Sequence, residues 1–136
     1  MSPLTLAFLG DGVYELLVRS HVVTAHGSMP AKKLHQQSVK MVRASYQATV
    51  YDCLVPVLSE RELEVMKRGR NASSASVPKH ADLMAYRKAT GVEALFGYLY
   101  LNGEAPRAEE LFRLALAAGE GPKTEKTFDS RTGGTL

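Results

Sequence analysis

Two carboxylates stand where a charge is costly to keep. Asp11 interrupts the apolar run FLGDGVYEL, and Glu93 interrupts GVEALFGYLYL. A carboxylate among apolar neighbours has to be hydrogen-bonded, paired with a cation or bound to a metal. Taken singly, each reads first as an ion pair, Asp11 with a nearby base and Glu93 with Arg87 or Lys88 a turn or two away. Taken together, on separate helices and each close to a glycine, they fit one shared site. Two such carboxylates can hold a Mg²⁺ that keeps several waters and accepts phosphate oxygens as further ligands. Glu15 lies one turn beyond Asp11 on the same face, where it is placed to support the site. It also lies one turn before Arg19, and a surface ion pair is the stronger reading of that spacing. Asp82 is eleven residues before Glu93, about 16 Å along a helix, too far to share an ion with it.

The cations cluster as well. KRGRN places Lys67, Arg68 and Arg70 around a glycine at an expected helix end. Asn71 then opens the polar stretch NASSASVPK, which Lys79 closes. Lys32, Lys33, Lys40 and Arg43 form a second group. Solvated faces and helix C-termini collect positive charge for ordinary reasons. A polar loop with cations at both ends is also suited to gripping phosphates, and duplex RNA is recognised largely through phosphates, shape and 2′-hydroxyls. Aromatic residues are not interleaved with these cations, which argues against stacking on a single strand. Other chemistry is missing from the pattern. His21, His26, His35 and His80 lack metal-ligand spacing, Cys53 stands alone in an apolar stretch, and no phosphate-binding glycine loop or nucleophile elbow occurs.

The elements that would position these groups are all helical. The glycine of FLGDGVYEL weakens its helix by about 1 kcal/mol, so a close backbone approach is expected there. Helices are predicted over residues 4–23, with Phe8, Leu9, Val13, Leu16 and Leu17 at helical spacing, and over 31–42 after Pro30. Residues 43–54 form either a bent continuation or a third helix. Ser59 and Glu62 make a capping box for a helix to about residue 68. Residues 71–79 read as a loop, 82–101 as a long helix ended by Asn102-Gly103, and 106–118 as a last amphipathic helix. At 136 residues and 45% hydrophobic content, the chain supports one domain, expected over 1–123, with a disordered tail over 124–136. No run reaches the roughly 18 apolar residues of a membrane span. The start lacks a signal-peptide pattern, and a lone cysteine fits a reducing compartment, so a cytoplasmic location is expected. The net charge of +3 permits a nucleic-acid partner without requiring one.

FLGDGVYELLV resembles the signature helix of the ribonuclease III family, and VEALFGYLYL resembles its second acidic motif. The order and separation match, and KMVRASYQA resembles the basic helix between them. KRGRNASS and Ala85-Tyr86-Arg87 are similar to the Mini-ribonuclease III subfamily, a catalytic domain without a double-stranded RNA-binding domain. The resemblance covers most of residues 4–119. It implies an all-α, ribonuclease III-like fold, a homodimer joined through the first helix, and Mg²⁺-dependent cleavage of double-stranded RNA in ribosomal RNA precursors; Phe8 and Leu9 are the candidates for the dimer contact, with core packing as the alternative for each. The implied products carry 5′-phosphate and 3′-hydroxyl ends. Asp11 and Glu93 are the implied catalytic and metal residues. Larger members carry further acids one turn before each; here those positions are Ala7 and Thr90, which leaves open whether one or two ions bind. A non-catalytic RNA-binding or ribosome-associated module with the same fold is the alternative.

Overall fold

The computed structural model describes residues 1–73 and 82–128. It comprises α1 (Pro3–His26), α2 (Ala31–Val42), α3 (Ala44–Leu54), a 3₁₀ turn at Val55–Val57, α4 (Glu60–Ala72), α5 (Leu83–Leu101) and α6 (Ala105–Phe128). Among the described residues there is no strand. The axis of the fold is α5, against which α1, α3 and α4 all pack. Nine of its 19 residues are buried, on several sides of the helix, as expected of a helix with no solvent face to spare. Asp82 starts it, its Oδ1 accepting from the Met84 and Ala85 amides at 3.0 and 3.2 Å. Gly103, at φ 73°, follows its end.

The crossing of α1 over α5 explains the first glycine. A Cβ on Gly10 would overlap the Glu93 carbonyl oxygen, and one on Gly97 would overlap the Leu6 carbonyl oxygen. The two backbones therefore meet at a distance only glycine allows. This contact selects the inward face of α1, made of Ala7, Gly10, Tyr14, Val18 and Val22. The expected apolar set is only partly inward: Leu9, Val13 and Leu17 are half-buried, but Phe8 is 84% exposed and Leu16 65%. The helix carries two apolar faces, and the chain covers one. Above the crossing, Tyr14 packs edge-on against Phe96 and Phe112, each with ring centroids 5.8 Å away.

Three boundaries differ from the sequence reading. KRGRN is helical, since α4 continues to Ala72. Gly69 is there for packing, because a Cβ would come within 2.6 Å of the Ala94 side chain on α5. Contact with α5 offsets the glycine's helix penalty. Next, 43–54 is a separate helix. Arg43 is extended (φ −63°, ψ 148°) between α2 and α3, which orphans the last carbonyls of α2. Side chains satisfy two of them: Tyr14 Oη donates to Met41 O at 2.8 Å, and Gln47 Nε2 donates to Val42 O at 3.0 Å. Finally, α6 passes the expected end at 118 and runs to Phe128, so the stretch expected to be disordered from 124 begins inside it. Residues 129–136 lie outside the described residues.

The capping box is formed, with Ser59 Oγ accepting from Glu62 N at 3.1 Å and Ser59 N donating to Glu62 Oε1 at 2.9 Å. Glu62 also receives Arg107 of α6 through Nε and Nη2, at 2.9 and 2.8 Å. This forked pair ties α6 to α4, and the guanidinium holds the Glu62 carboxyl below its usual range.

Candidate active site

Because Gly10 rests on the Glu93 backbone, the next residue of α1, Asp11, is delivered beside Glu93. The two carboxylates share a cleft of about 370 Å³ between α1, α5 and the α2–α3 joint. Asp11 is exposed at its mouth, not buried as its apolar neighbours in sequence imply, while Glu93 is largely covered. Ala7 and Thr90 line the same cleft. Thr90 Oγ1 donates to Tyr86 O at 3.1 Å and stands 3.3 Å from Ser73 Oγ, from which it can accept, so it is occupied within the fold.

The electrostatics of the pair are unusual for ordinary acids. Burial, and then the nearby Asp11 carboxylate, push the Glu93 pKa from 4.5 up to about 7; the Gln47 amide opposes that rise. Among the described residues, no lysine or arginine forms an ion pair with either acid. Lys88, one expected partner of Glu93, is instead bonded to Asp52 at 2.9 Å. Glu15 pairs with Arg19, which reaches its Oε2 through Nε at 3.1 Å and Nη2 at 2.7 Å. That leaves Glu15 facing a cation on the surface of α1. Two carboxylates facing one cleft, neither ion-paired with a lysine or arginine among the described residues, present the hard, negative oxygen donors that Mg²⁺ takes. No group of three or more His, Cys, Asp or Glu side chains is assembled among the described residues. A site here is one with few protein ligands and room for water.

The Ribonuclease III domain family model matches residues 4–104. Mini-ribonuclease 3 of a Thermoanaerobacter species is 45% identical over 116 residues, 85% of this chain and 81% of that protein. The Brevibacillus brevis protein of the same name is 48% identical over 116 residues, 85% of this chain and 86% of its own. The chain belongs to the ribonuclease III family, in its Mini-ribonuclease 3 branch. Membership makes it an endoribonuclease. The fold agrees: a crystal structure of a Fusobacterium nucleatum protein superposes with a TM-score of 0.74 at 29% identity, covering 89% of this chain and 93% of that one.

In this ribonuclease III fold the basic residues do not form one patch. Lys67 and Arg68 are both exposed, but successive residues on a helix diverge by about 100°. Arg68 lines a pocket with Arg61 and Tyr98. Arg70 turns the other way, donating to Tyr51 Oη and Asn71 Oδ1, both at 3.0 Å. Lys88 also faces the Tyr51 ring, 5.6 Å from its centroid. Lys40 lines a separate pocket with His21 and His26. Arg43 is exposed at the α2–α3 joint, between Val42 and Ala44, which both line the acid cleft. Lys79 lies outside the described residues.

Gln47 is the residue that the sequence reading passed over. It is 3% exposed, and its Nε2 reaches both Val42 O and, at 3.4 Å, Glu93 Oε2. A signal was present. The inward positions of α3 are Gln47, Val50, Tyr51 and Leu54, so a glutamine occupies a core register otherwise held by large, mostly apolar side chains.

Proposed function

We propose that this ribonuclease III family member is a Mg²⁺-dependent endoribonuclease that cuts double-stranded RNA as a homodimer, with Asp11 and Glu93 holding the ion. The observation that carries the reading is the delivery of Asp11 beside Glu93 by the Gly10–Gly97 crossing, with no ion pair from a lysine or arginine to either acid among the described residues. When bound, Mg²⁺ supplies Lewis acidity for in-line attack of water on a phosphodiester. Asp11, at the cleft mouth, offers its charge on the side open to RNA. Glu93 offers its own from within, oriented by an amide that leaves the charge unneutralised. If the 3′-oxygen is the leaving group, as the family resemblance implies, the products carry 5′-phosphate and 3′-hydroxyl ends.

The uncovered row on α1 supports the dimer. Leu4, Phe8 and Leu16 are exposed, and Gly12, between Phe8 and Leu16 in the same i, i+4 row, has open space where a Cβ would stand. A two-fold dimer would bury this row and present one site to each strand of a duplex. Exposed Lys67, Asn71 and Arg43, with Arg70, are the proposed phosphate contacts, and ribosomal RNA precursors in the cytoplasm are the proposed setting. Among the described residues, no helix is long and apolar enough to cross a membrane.

The test is cleavage of a long RNA duplex with Mg²⁺ by the wild type and by Asp11→Asn. The variant should fold and lose nearly all cleavage, because an amide lacks the negative charge a hard cation requires. Near-normal turnover of Asp11→Asn at saturating Mg²⁺ would refute the site. A folded wild type that binds the duplex without cutting it would point to the non-catalytic module.

A further inference from the structure

We propose that Gln47 is a positioning residue, fixing the Glu93 carboxylate for its metal and locking that carboxylate to the α2–α3 joint. The proposal rests on Asp11 and Glu93 being the metal pair.

Its basis is what one side chain does in a confined place. Gln47 Nε2 spends its two hydrogens on two acceptors from different parts of the cleft wall, Val42 O at 3.0 Å and Glu93 Oε2 at 3.4 Å. The first acceptor is a carbonyl orphaned where the chain leaves α2. The second is the deeper of the two acids. Gln47 thus joins the wall carrying Val42, Arg43 and Ala44 to the carboxylate that the cleft surrounds. The remaining atom, Gln47 Oε1, is buried and has no hydrogen-bond partner among the described residues. An unpartnered buried oxygen is a stability cost that an apolar side chain of similar size would avoid, so the amide's value lies in its N–H donors.

The choice of a neutral donor follows from the charge the site needs. A lysine or arginine in the same place would orient Glu93 and also neutralise it, competing with the incoming cation. An amide orients the carboxylate while leaving its full charge and its other oxygen, Oε1, available. With few protein carboxylates to define the site, each rotamer matters more, because Mg²⁺ tolerates little departure from octahedral geometry. Groups that hydrogen-bond metal ligands commonly change affinity or activity by roughly 10- to 100-fold when removed.

The experiment is a Mg²⁺ titration of the RNA-free protein, read as the rise in melting temperature, on wild type, Asp11→Asn and Gln47→Met. Wild type should show a saturable rise and Asp11→Asn none. Gln47→Met should melt cooperatively and need roughly 10-fold more Mg²⁺ or beyond to reach half the rise. In cleavage assays its half-saturating Mg²⁺ should move by the same factor, with kcat recovered at high Mg²⁺. Were wild type to respond no differently from Asp11→Asn, the metal-pair reading itself would fall. Were wild type to respond and Gln47→Met to match it, only the role of Gln47 would be overturned. If Gln47→Met does not fold, Gln47→Asn decides, since its shorter amide cannot span both acceptors and should show the same shift. Wild-type half-saturation in Gln47→Asn, or failure of both variants to fold, would make Gln47 a core residue and end the proposal.

Discussion

Raising the pH of the metal-free protein should weaken its fold through one residue. The Glu93 pKa is raised from 4.5 to about 7 by burial and by Asp11, so the folded state holds a proton that the unfolded chain releases. Stability from this group is complete below about pH 4.5 and is lost as pH rises to about 7, after which the loss levels off. A shift of that size corresponds to about 2–3 kcal/mol, after allowance for solvent at the cleft mouth. Denaturant unfolding in EDTA at pH 5.5 and pH 8 measures it, with Glu93→Gln as the reference because it cannot titrate. Wild type should lose about 1–2 kcal/mol more than Glu93→Gln between those values, because part of the effect is already spent by pH 5.5. Asp11→Asn should lose less than wild type, because one source of the shift is gone. Mg²⁺ competes with the proton for the same oxygens, so adding it should restore stability at pH 8 and do little at pH 5.5. Identical pH slopes for wild type and Glu93→Gln would refute the electrostatic picture of the paired acids.

Gly97→Ala should cost about 3 kcal/mol or more, because its methyl meets a backbone carbonyl that cannot rotate away; a melting temperature within a degree or two of wild type would contradict the close crossing. Phe8→Asp should convert the proposed dimer into a monomer of 14.8 kDa, as seen by sedimentation at micromolar concentration, and a wild type that is itself an active monomer would remove the dimer. Replacing Lys67 and Arg70 with alanine should raise KM more than it lowers kcat. It should also reduce the salt dependence of duplex binding by about two units of slope. An unchanged slope would retire that face of α4 as a phosphate grip.

Much of the site was legible because its demands are local. A glycine beside an acid within an apolar helix announces a close approach, and Gly10-Asp11 is where it occurs. What Gly10 touches is 83 residues away, and no periodicity names such a partner. The same limit applies to Glu62, whose capping role was readable three residues from Ser59 while its bond to Arg107 was not. Helix ends failed where distant packing overrode local preference: Gly69 reads as a terminator until Ala94 is placed against it. Exposure was misread on α1 because apolar spacing identifies faces without saying which one the chain itself will cover. Gln47 was missed because glutamine is unremarkable in a helix until the register shows its neighbours to be core.

Phe8 is both the most exposed aromatic of α1 and part of the cleft wall beside Asp11. In the proposed dimer, the surface that covers Phe8 would also become a boundary of the catalytic chamber. Each chemical centre, already formed within one chain, would then be enclosed on assembly and shielded from bulk water in part by the other copy. Dilution would then act as an off-switch, and subunit exchange between an inactive variant and wild type would reveal whether a centre senses the identity of its neighbour. In such a dimer α1 would serve on three sides at once: one for the acid, one for the seam with α5 and one for the twin.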